Sequence, residues 1–201
     1  MDRERTRTMS REALAELPIR RYQGEVCLVE TPEDLRRAQA DLREETMVGI
    51  DTETRPAFVK GVNHLPCLVQ VATARSVYLF PLRWRESHSL LVGMLADQRI
   101  VKIGIGLADD LRALKQVFPF EAMNVLDAGS VAKRHGLEQS GLRNLAGIFL
   151  GFRIPKGKQT SNWAAARLTP AQITYAATDA WACRELYLHF RAAGLLQDKA
   201  T

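Results

Sequence analysis

The chain alternates short apolar runs with amphipathic stretches, a pattern typical of a mixed α/β protein. Apolar runs at 47–53, 65–73 and 76–80 are joined by short links and predict three strands in an antiparallel meander. The remaining pattern predicts strands at 26–30, 99–106 and 125–127, and helices at 31–45, 87–96, 108–118, 128–135, 141–150 and from 170 onward. The order of these elements indicates an α/β fold.

The last predicted helix has a strong start signal. Thr169 suits the N-cap, Pro170 suits the first turn, and Gln172 stands where its side chain can reach back to the cap. Inside this helix Tyr175 and Asp179 are four residues apart, so both lie on one helix face. Taken alone, this pair fits a surface hydrogen bond as well as a functional site.

Two carboxylates, Asp51 and Glu53, stand at the end of the apolar run at 47–53. Residues two apart on a strand point to the same face, so these side chains converge with stems about 7 Å apart. Their mutual repulsion raises a pKa unless a cation lies between them, and oxygen ligands without His or Cys favour Mg²⁺ or Mn²⁺. The alternative is a strand that simply ends in solvent.

A Gly-x-Gly segment at 104–106 follows a predicted strand and precedes a predicted helix, as in a dinucleotide-binding fingerprint. That fingerprint has a third glycine where this chain has Asp109, and a carboxylate there satisfies the helix dipole and repels a pyrophosphate. We therefore expect Asp109 to cap the helix, which leaves Asp110 as a candidate metal ligand. Asp127 is expected to cap the helix after it, with a supporting role near the acids as the alternative.

Composition places the chain among soluble proteins. Its 201 residues are 46% hydrophobic, which suits one domain at 22–201, preceded by an arm at 1–21 that mixes Arg with acids. The three cysteines are scattered, and no apolar run approaches the roughly 18 residues of a membrane span. We expect a cytoplasmic protein without membrane contact. Its net charge of +5 favours a polyanionic partner.

Charge is distributed unevenly along the chain. Residues 139–178 contain no Asp or Glu but carry five cations. Arg153, Lys156 and Lys158 form a tight group among them, which predicts contacts with a nucleic-acid backbone. Scattered, solvated side chains are the alternative interpretation.

Together, the acidic motifs resemble those of the DEDD exonuclease superfamily, in its tyrosine-containing (DEDDy) branch. Asp51-x-Glu53, the acid at 110 after Gly-x-Gly, and Tyr175-x-x-x-Asp179 occur in the family order. The segments VGIDTET, KIGIGLADDLRAL and QTSNWAAARLTPAQITYAATDAWA are similar to parts of the Werner syndrome exonuclease domain and of ribonuclease D. The likeness covers residues 25–190.

This resemblance implies a ribonuclease H-like fold, with a mixed sheet of about five strands flanked by helices. It also implies a two-metal 3′-5′ exonuclease that acts on the single-stranded 3′ end of DNA or RNA and releases nucleoside 5′-monophosphates. Asp51, Glu53, Asp110 and Asp179 match the acids that bind two Mg²⁺ or Mn²⁺ ions. Tyr175 matches the tyrosine that orients the attacking water.

Contacts with the substrate are implied less directly. Asn162 lies in a Ser-Asn-Trp segment that resembles the family pattern, so it is a candidate for nucleic-acid binding. Trp163, beside it, fits either a core anchor or a substrate contact. In related exonucleases an apolar residue after the first motif separates terminal bases, and Leu65 or Phe58 is the candidate here.

Two other functions remain open from the sequence. A ribonuclease for short oligonucleotides or dinucleotides needs the same acids but a closed cleft. A nucleic-acid-binding module without catalysis is disfavoured, because it has little reason to retain four repelling carboxylates and the tyrosine. Neither the choice between DNA and RNA nor the oligomeric state can be derived from these residues.

Overall fold

One mixed sheet with helices packed around it forms the body of the protein. The structure is a computed structural model that describes residues 8–57, 61, 63–157 and 160–196. Its strands are Glu25–Leu28 (β1), Met47–Thr54 (β2), Pro66–Ala72 (β3), Ser76–Pro81 (β4), Val101–Gly104 (β5) and Val125–Asp127 (β6). Its α-helices are Arg11–Glu16 (α1), Pro32–Arg43 (α2), His88–Ala96 (α3), Leu107–Leu114 (α4), Ala128–Arg134 (α5), Leu142–Leu145 (α6) and Pro170–Ala192 (α7). None of the helices in the described residues has the length and apolar character needed to cross a membrane.

The strand order is β1-β4-β3-β2-β5-β6. β2, β3 and β4 pair antiparallel in sequence order, which confirms the predicted meander. β1 pairs with β4, β5 with β2, and β6 with β5, all in parallel. The sheet thus has six strands where the resemblance implied about five. Because β2 has neighbours on both edges, the acids near its end project from the middle of the sheet.

Helix α7 lies unusually close to β2. A Cβ added at Gly49 would lie only 2.1 Å from the Ala180 carbonyl oxygen, so glycine is required for the two backbones to approach. Buried Ala176 and Ala177 give α7 a narrow contact face against the sheet. This close packing brings Asp179 on α7 next to the acids of β2.

Two helices begin with capping boxes, and the one at the start of α7 confirms the prediction. At the start of α7, the Gln172 N–H donates to Thr169 Oγ1 at 3.3 Å, and the Thr169 N–H donates to Gln172 Oε1 at 3.0 Å. Pro170 occupies the first helical turn. Helix α2 starts in the same way with Thr31 and Asp34. These caps satisfy N–H groups that have no partner inside the helix, and they fix where each helix begins.

The described part of the arm, residues 8–21, packs against the domain. Helix α1 lies directly on Gly147, where a Cβ would be 2.5 Å from Leu14 Cδ1. The Gln139 side chain exchanges two hydrogen bonds of 3.1 Å with the Met9 backbone. The first half of the arm is therefore anchored to the segment that precedes α6 and to the turn that follows it.

The second half of the arm runs beside residues 152–154. Ile19 and Arg153 form an isolated parallel bridge, in which the Arg153 N–H donates to the Pro18 carbonyl at 3.0 Å. Further along, the Tyr22 N–H donates to Thr178 Oγ1 on α7 at 3.1 Å. Together, the two halves of the arm contact the segment 139–153 at both of its ends and at Gly147. The proposed division at residue 21 stays a prediction.

Two predicted elements differ in detail from the structure. The helix expected at 141–150 consists of α6 and a π-helical turn, Ala146–Leu150. The strand expected at 99–106 ends at Gly104, because Gly106 adopts a positive φ of 67° and starts α4 instead. Glycine tolerates this left-handed conformation, which ends strand pairing.

Candidate active site

Three carboxylates from two elements converge at one point. One oxygen from each of Asp51, Glu53 and Asp179 lies within 4.8 Å of the other two. Glu53 and Asp179 are only 6% and 7% exposed, and Asp51 is half-buried. Oxygen ligands at this spacing suit a hard divalent cation such as Mg²⁺ or Mn²⁺.

Asp110, the fourth predicted acid, lies on the wall of the same cavity but outside this group of three. Its Oδ1 accepts a hydrogen bond of 2.7 Å from Thr52 Oγ1. Thr52 stands between the two acids of β2, so one strand supplies two carboxylates and also orients a third that comes from α4. Thr52 is not among the site residues predicted from the sequence.

Tyr175 lies one helical turn before Asp179 on α7. Its phenol lies near the Asp179 carboxylate, and burial first, then the negative charges of Asp179 and Glu53, raise the pKa of the phenol well above its usual value. The phenol therefore stays protonated and can act as a hydrogen-bond donor. Trp163 packs against its ring at a centroid distance of 6.1 Å and is 1% exposed, which identifies Trp163 as a core anchor.

Burial is the main cause of a raised pKa at every acid in the site. Burial raises the pKa of Glu53 to about 9, with the charges of the neighbouring acids adding to the effect. Burial also raises the pKa of Asp179 to about 6 and shifts those of Asp51 and Asp110 upward. Without a cation the ionised cluster is unfavourable. A divalent cation among the carboxylates would remove this cost, so the residues fit a metal site.

The carboxylates and Tyr175 line a cavity of about 420 Å³. Other side chains on its wall are Thr52, Ile105, Arg143, Asn144 and Cys183. Arg143 is the only cation in this lining, as far as the structure describes it. The sequence placed Arg143 in the acid-free stretch, but only folding shows that α6 carries it to the acids.

The predicted cap of α4 is wrong. Asp109 lies within the first turn and forms a surface ion pair with Arg112 at 2.6 Å. Gly106 occupies the N-cap position, and no side chain of its own segment caps the helix. The reason is that Asp109 sits one turn too late, with its carboxylate directed toward the following turn.

Asp127 satisfies the start of α4 instead. Its Oδ2 accepts hydrogen bonds from the Gly106 N–H and, at 3.3 Å, from the Leu107 N–H. Its Oδ1 accepts from the Ser130 N–H at 2.6 Å, which confirms the predicted capping of α5. One carboxylate thus ties together the starts of two helices, and the first of these carries Asp110.

Arg153 and Lys156, both predicted to contact nucleic acid, have different surroundings in the structure. The Arg153 Nε donates to the Leu17 carbonyl of the arm at 3.1 Å, so this guanidinium already has a partner. Lys156 is exposed and lines a second cavity of about 350 Å³, together with Arg21 and Tyr175. Lys158 lies outside the described residues.

Asn162 is part of the turn that leads to α7. Its Oδ1 accepts from the Ala164 N–H, and its carbonyl accepts from Gln172 Nε2, each at 3.2 Å. Leu65 is 43% exposed at the start of β3, whereas Phe58 lies outside the described residues. The nucleic-acid contacts of these residues stay predictions.

A family model described as 3′-5′ exonuclease matches residues 26–193. The chain belongs to this family. Its members depend on divalent metals and act on nucleic acids, and the predicted DEDDy-type assignment is confirmed. The acids and tyrosine described above all lie inside the matched region.

Individual relatives support the same family. The chain is 32% identical to ribonuclease D of Gluconacetobacter diazotrophicus over 164 residues, covering 80% of this chain and 41% of the relative. It is 31% identical to the human exonuclease mut-7 homolog over 201 residues, covering 86% of this chain and 23% of the relative. The chain therefore spans less than half the length of either relative.

A solved structure shares the fold. The EXO domain of Nibbler from Aedes aegypti superposes with a TM-score of 0.76 at 23% identity, covering 89% of this chain and 94% of that domain. The predicted ribonuclease H-like α/β fold is confirmed.

Proposed function

We propose that this chain removes nucleotides one at a time from the 3′ end of a single-stranded nucleic acid and releases nucleoside 5′-monophosphates. One observation carries the proposal: Asp51, Glu53 and Asp179 converge beside Tyr175 in a chain of the 3′-5′ exonuclease family. Asp110 contributes a fourth carboxylate from the wall of the same cavity.

The four carboxylates would hold two divalent cations, Mg²⁺ or Mn²⁺. When bound, such a pair lowers the pKa of a water molecule and stabilises negative charge on a departing oxygen. The donor chemistry supports this assignment, because all four ligands are carboxylates and no histidine lines the cavity in the described residues.

In the proposed reaction, the side chains supply orientation. The protonated Tyr175 hydroxyl donates a hydrogen bond that holds the attacking water in line with the phosphorus. The water oxygen forms a bond to phosphorus, and the bond from phosphorus to the 3′ oxygen of the preceding nucleotide breaks. One proton of the water reaches that 3′ oxygen through solvent, and the other is released. The products are a nucleoside 5′-monophosphate and a strand with a new 3′-hydroxyl.

Positive charge near the site supports a polyanionic substrate. Lys156 and Arg21 line the second cavity, which shares Tyr175 with the first. Cations beside a groove attract the phosphate backbone irrespective of base sequence. DNA and RNA are both candidates, and the name ribonuclease D of one relative makes RNA the first substrate to test.

A digestion panel tests the proposal. We would incubate the purified chain with 5′-labelled RNA, single-stranded DNA, duplex DNA and dinucleotides, with Mg²⁺, Mn²⁺ or EDTA. We expect stepwise shortening from the 3′ end that needs metal. Asp51→Ala should abolish it, whereas Asp109→Ala, a matched change at an exposed acid that the cavity does not include, should not.

Other outcomes point to other functions. Cleavage confined to dinucleotides and very short strands would favour the short-oligonucleotide ribonuclease. Binding without any shortening, in both metals, would indicate a nucleic-acid-binding module and refute the proposed activity.

A further inference from the structure

Arg143 lies among the acids without being neutralised by them. It is half-buried on α6 and lines the cavity that holds Asp51, Glu53 and Asp179. Within the described residues, no carboxylate oxygen lies within 4 Å of its guanidinium, although seven other cations in the structure form such ion pairs. Arg143 therefore lines the cavity without being used in an ion pair of the described residues.

The charge of Arg143 nevertheless reaches the site. It lowers the pKa of Asp179 and of the Tyr175 phenol, against the larger upward effect of burial. A cation that acts on both groups stands near the place where the substrate phosphate has to lie, since the metal ligands and the water-orienting tyrosine both face that phosphate.

We propose that Arg143 is a further catalytic residue, whose guanidinium contacts a non-bridging oxygen of the phosphate being cleaved. This inference rests on the proposed exonuclease function and assigns one more group to the same site. Arg143 and the cations held by the carboxylates would then both place positive charge next to the phosphate.

The chemistry of the reaction needs such a group. In phosphoryl transfer, negative charge is spread over the equatorial oxygens, and fixed positive charge aimed at them lowers the barrier. A guanidinium suits this task, because its planar donors match two phosphate oxygens and it stays charged at any working pH. A lysine in its place keeps the charge but loses the paired geometry.

The fold holds Arg143 in place from both sides. Gly141 is the N-cap of α6, and buried Leu145 anchors the end of this short helix. The π-helical turn at Ala146–Leu150 follows at once, and such turns are often found at functional sites. The arm covers this region through its contact with Gly147. A side chain carried by so constrained a segment is suited to a fixed role in catalysis.

The test compares Arg143→Ala, Arg143→Lys and the matched control Arg134→Ala, which removes an exposed arginine at the end of α5. Steady-state rates on a labelled single strand are measured across substrate and Mg²⁺ concentrations. We expect Arg143→Ala to lower kcat by about 10²-fold, the scale of removing one preorganised donor. KM should change much less, the Mg²⁺ half-saturation should stay equal or fall, and added guanidinium ion should restore part of kcat. Arg143→Lys should fall between Arg143→Ala and wild type, and Arg134→Ala should match wild type.

Each contrary result has a distinct meaning. If the wild-type chain shortens strands and both Arg143 variants match its kcat, the catalytic role is wrong although the exonuclease function stands. If the lost activity returns fully at high Mg²⁺, Arg143 only supports the metal ligands, and the proposal is overturned. If Arg143→Ala unfolds, Arg143→Lys decides, because wild-type kcat in that folded variant contradicts the need for a paired guanidinium. A wild-type chain without metal-dependent shortening refutes the proposed function itself.

Discussion

The two sides of the cleft are built in different ways. The acidic side comes from long regular elements: β2, in the middle of the sheet, and the 23-residue helix α7. The basic side comes from the four-residue helix α6 and from the irregular chain after it, which the arm covers. Core packing therefore fixes the acids, whereas contacts with the arm hold Arg153 and the segment that carries Arg143.

This contrast explains what could be predicted from the sequence. Asp51 and Glu53 follow strand alternation, and Tyr175 and Asp179 follow helical spacing, so their shared faces can be derived from position alone. The closeness of β2 and α7 could not, because it depends on Gly49 meeting the backbone of a helix 131 positions later, at Ala180.

The wrong prediction for the cap of α4 has a related cause. Asp127 reaches Gly106 from 21 positions away, so a long-range hydrogen bond displaced the local cap expected of Asp109. Arg153 shows the same limit of local patterns, because its Nε donates to the Leu17 carbonyl 136 positions away; its predicted contact with nucleic acid stays a prediction. One-dimensional charge patterns carry no information about such contacts.

The largest effect should come from the acidic side. We expect Asp179→Asn to lower kcat by about 10³-fold or more, because catalytic groups that act as a unit lose most of the rate together. The fold should survive, since one source of repulsion is removed. Single-turnover assays measure the rate, and thermal unfolding in EDTA checks the fold. An unchanged rate would contradict the catalytic role assigned to the acids.

A smaller loss is expected at the tyrosine. Tyr175→Phe removes only the hydroxyl, and we expect kcat to fall by about 10²-fold, the scale of one oriented proton-handling group. Mn²⁺ affinity, measured by calorimetry, should stay near that of the wild type because the four carboxylates remain. A large loss of Mn²⁺ affinity would mean that the phenol acts on the metal ligands and not on water.

The segment after the arm contact can be probed through Gly157. A Cβ there would lie 2.0 Å from Tyr175 Cδ2, so Gly157→Ala must displace the ring or the chain. We expect kcat to fall by about 10-fold, since small misplacements of catalytic groups are costly. Gly93→Ala is the matched control, because a Cβ there would meet no atom within 4 Å beyond its chain neighbours and the backbone of its own helix. Equal rates for both variants would show that Tyr175 does not depend on this contact.

The smallest effect concerns stability and pH. Folding raises the pKa of Asp179 to about 6, so the folded protein binds more protons than the unfolded chain between the ordinary carboxylate pKa and about 6. Stability in EDTA should therefore fall as pH rises through this window, and the raised pKa of Glu53, about 9, extends the fall to higher pH. In the lower part of this pH range, Asp179→Asn should reduce the fall of Tm with rising pH by a few degrees. Mg²⁺ should restore stability mainly at high pH, and a curve that rises with pH in EDTA would contradict the raised pKa values.

The contact between the arm and Gly147 matters for the choice of truncated fragments of this enzyme. A fragment trimmed to the family match, residues 26–193, would keep all four acids and Tyr175. It would lose the arm residues that pack on Gly147 in the π-helical turn. Such a fragment would retain the metal ligands while losing the support of the chain that bears Arg143. The packed contacts of the domain therefore extend beyond the residues that the family match covers.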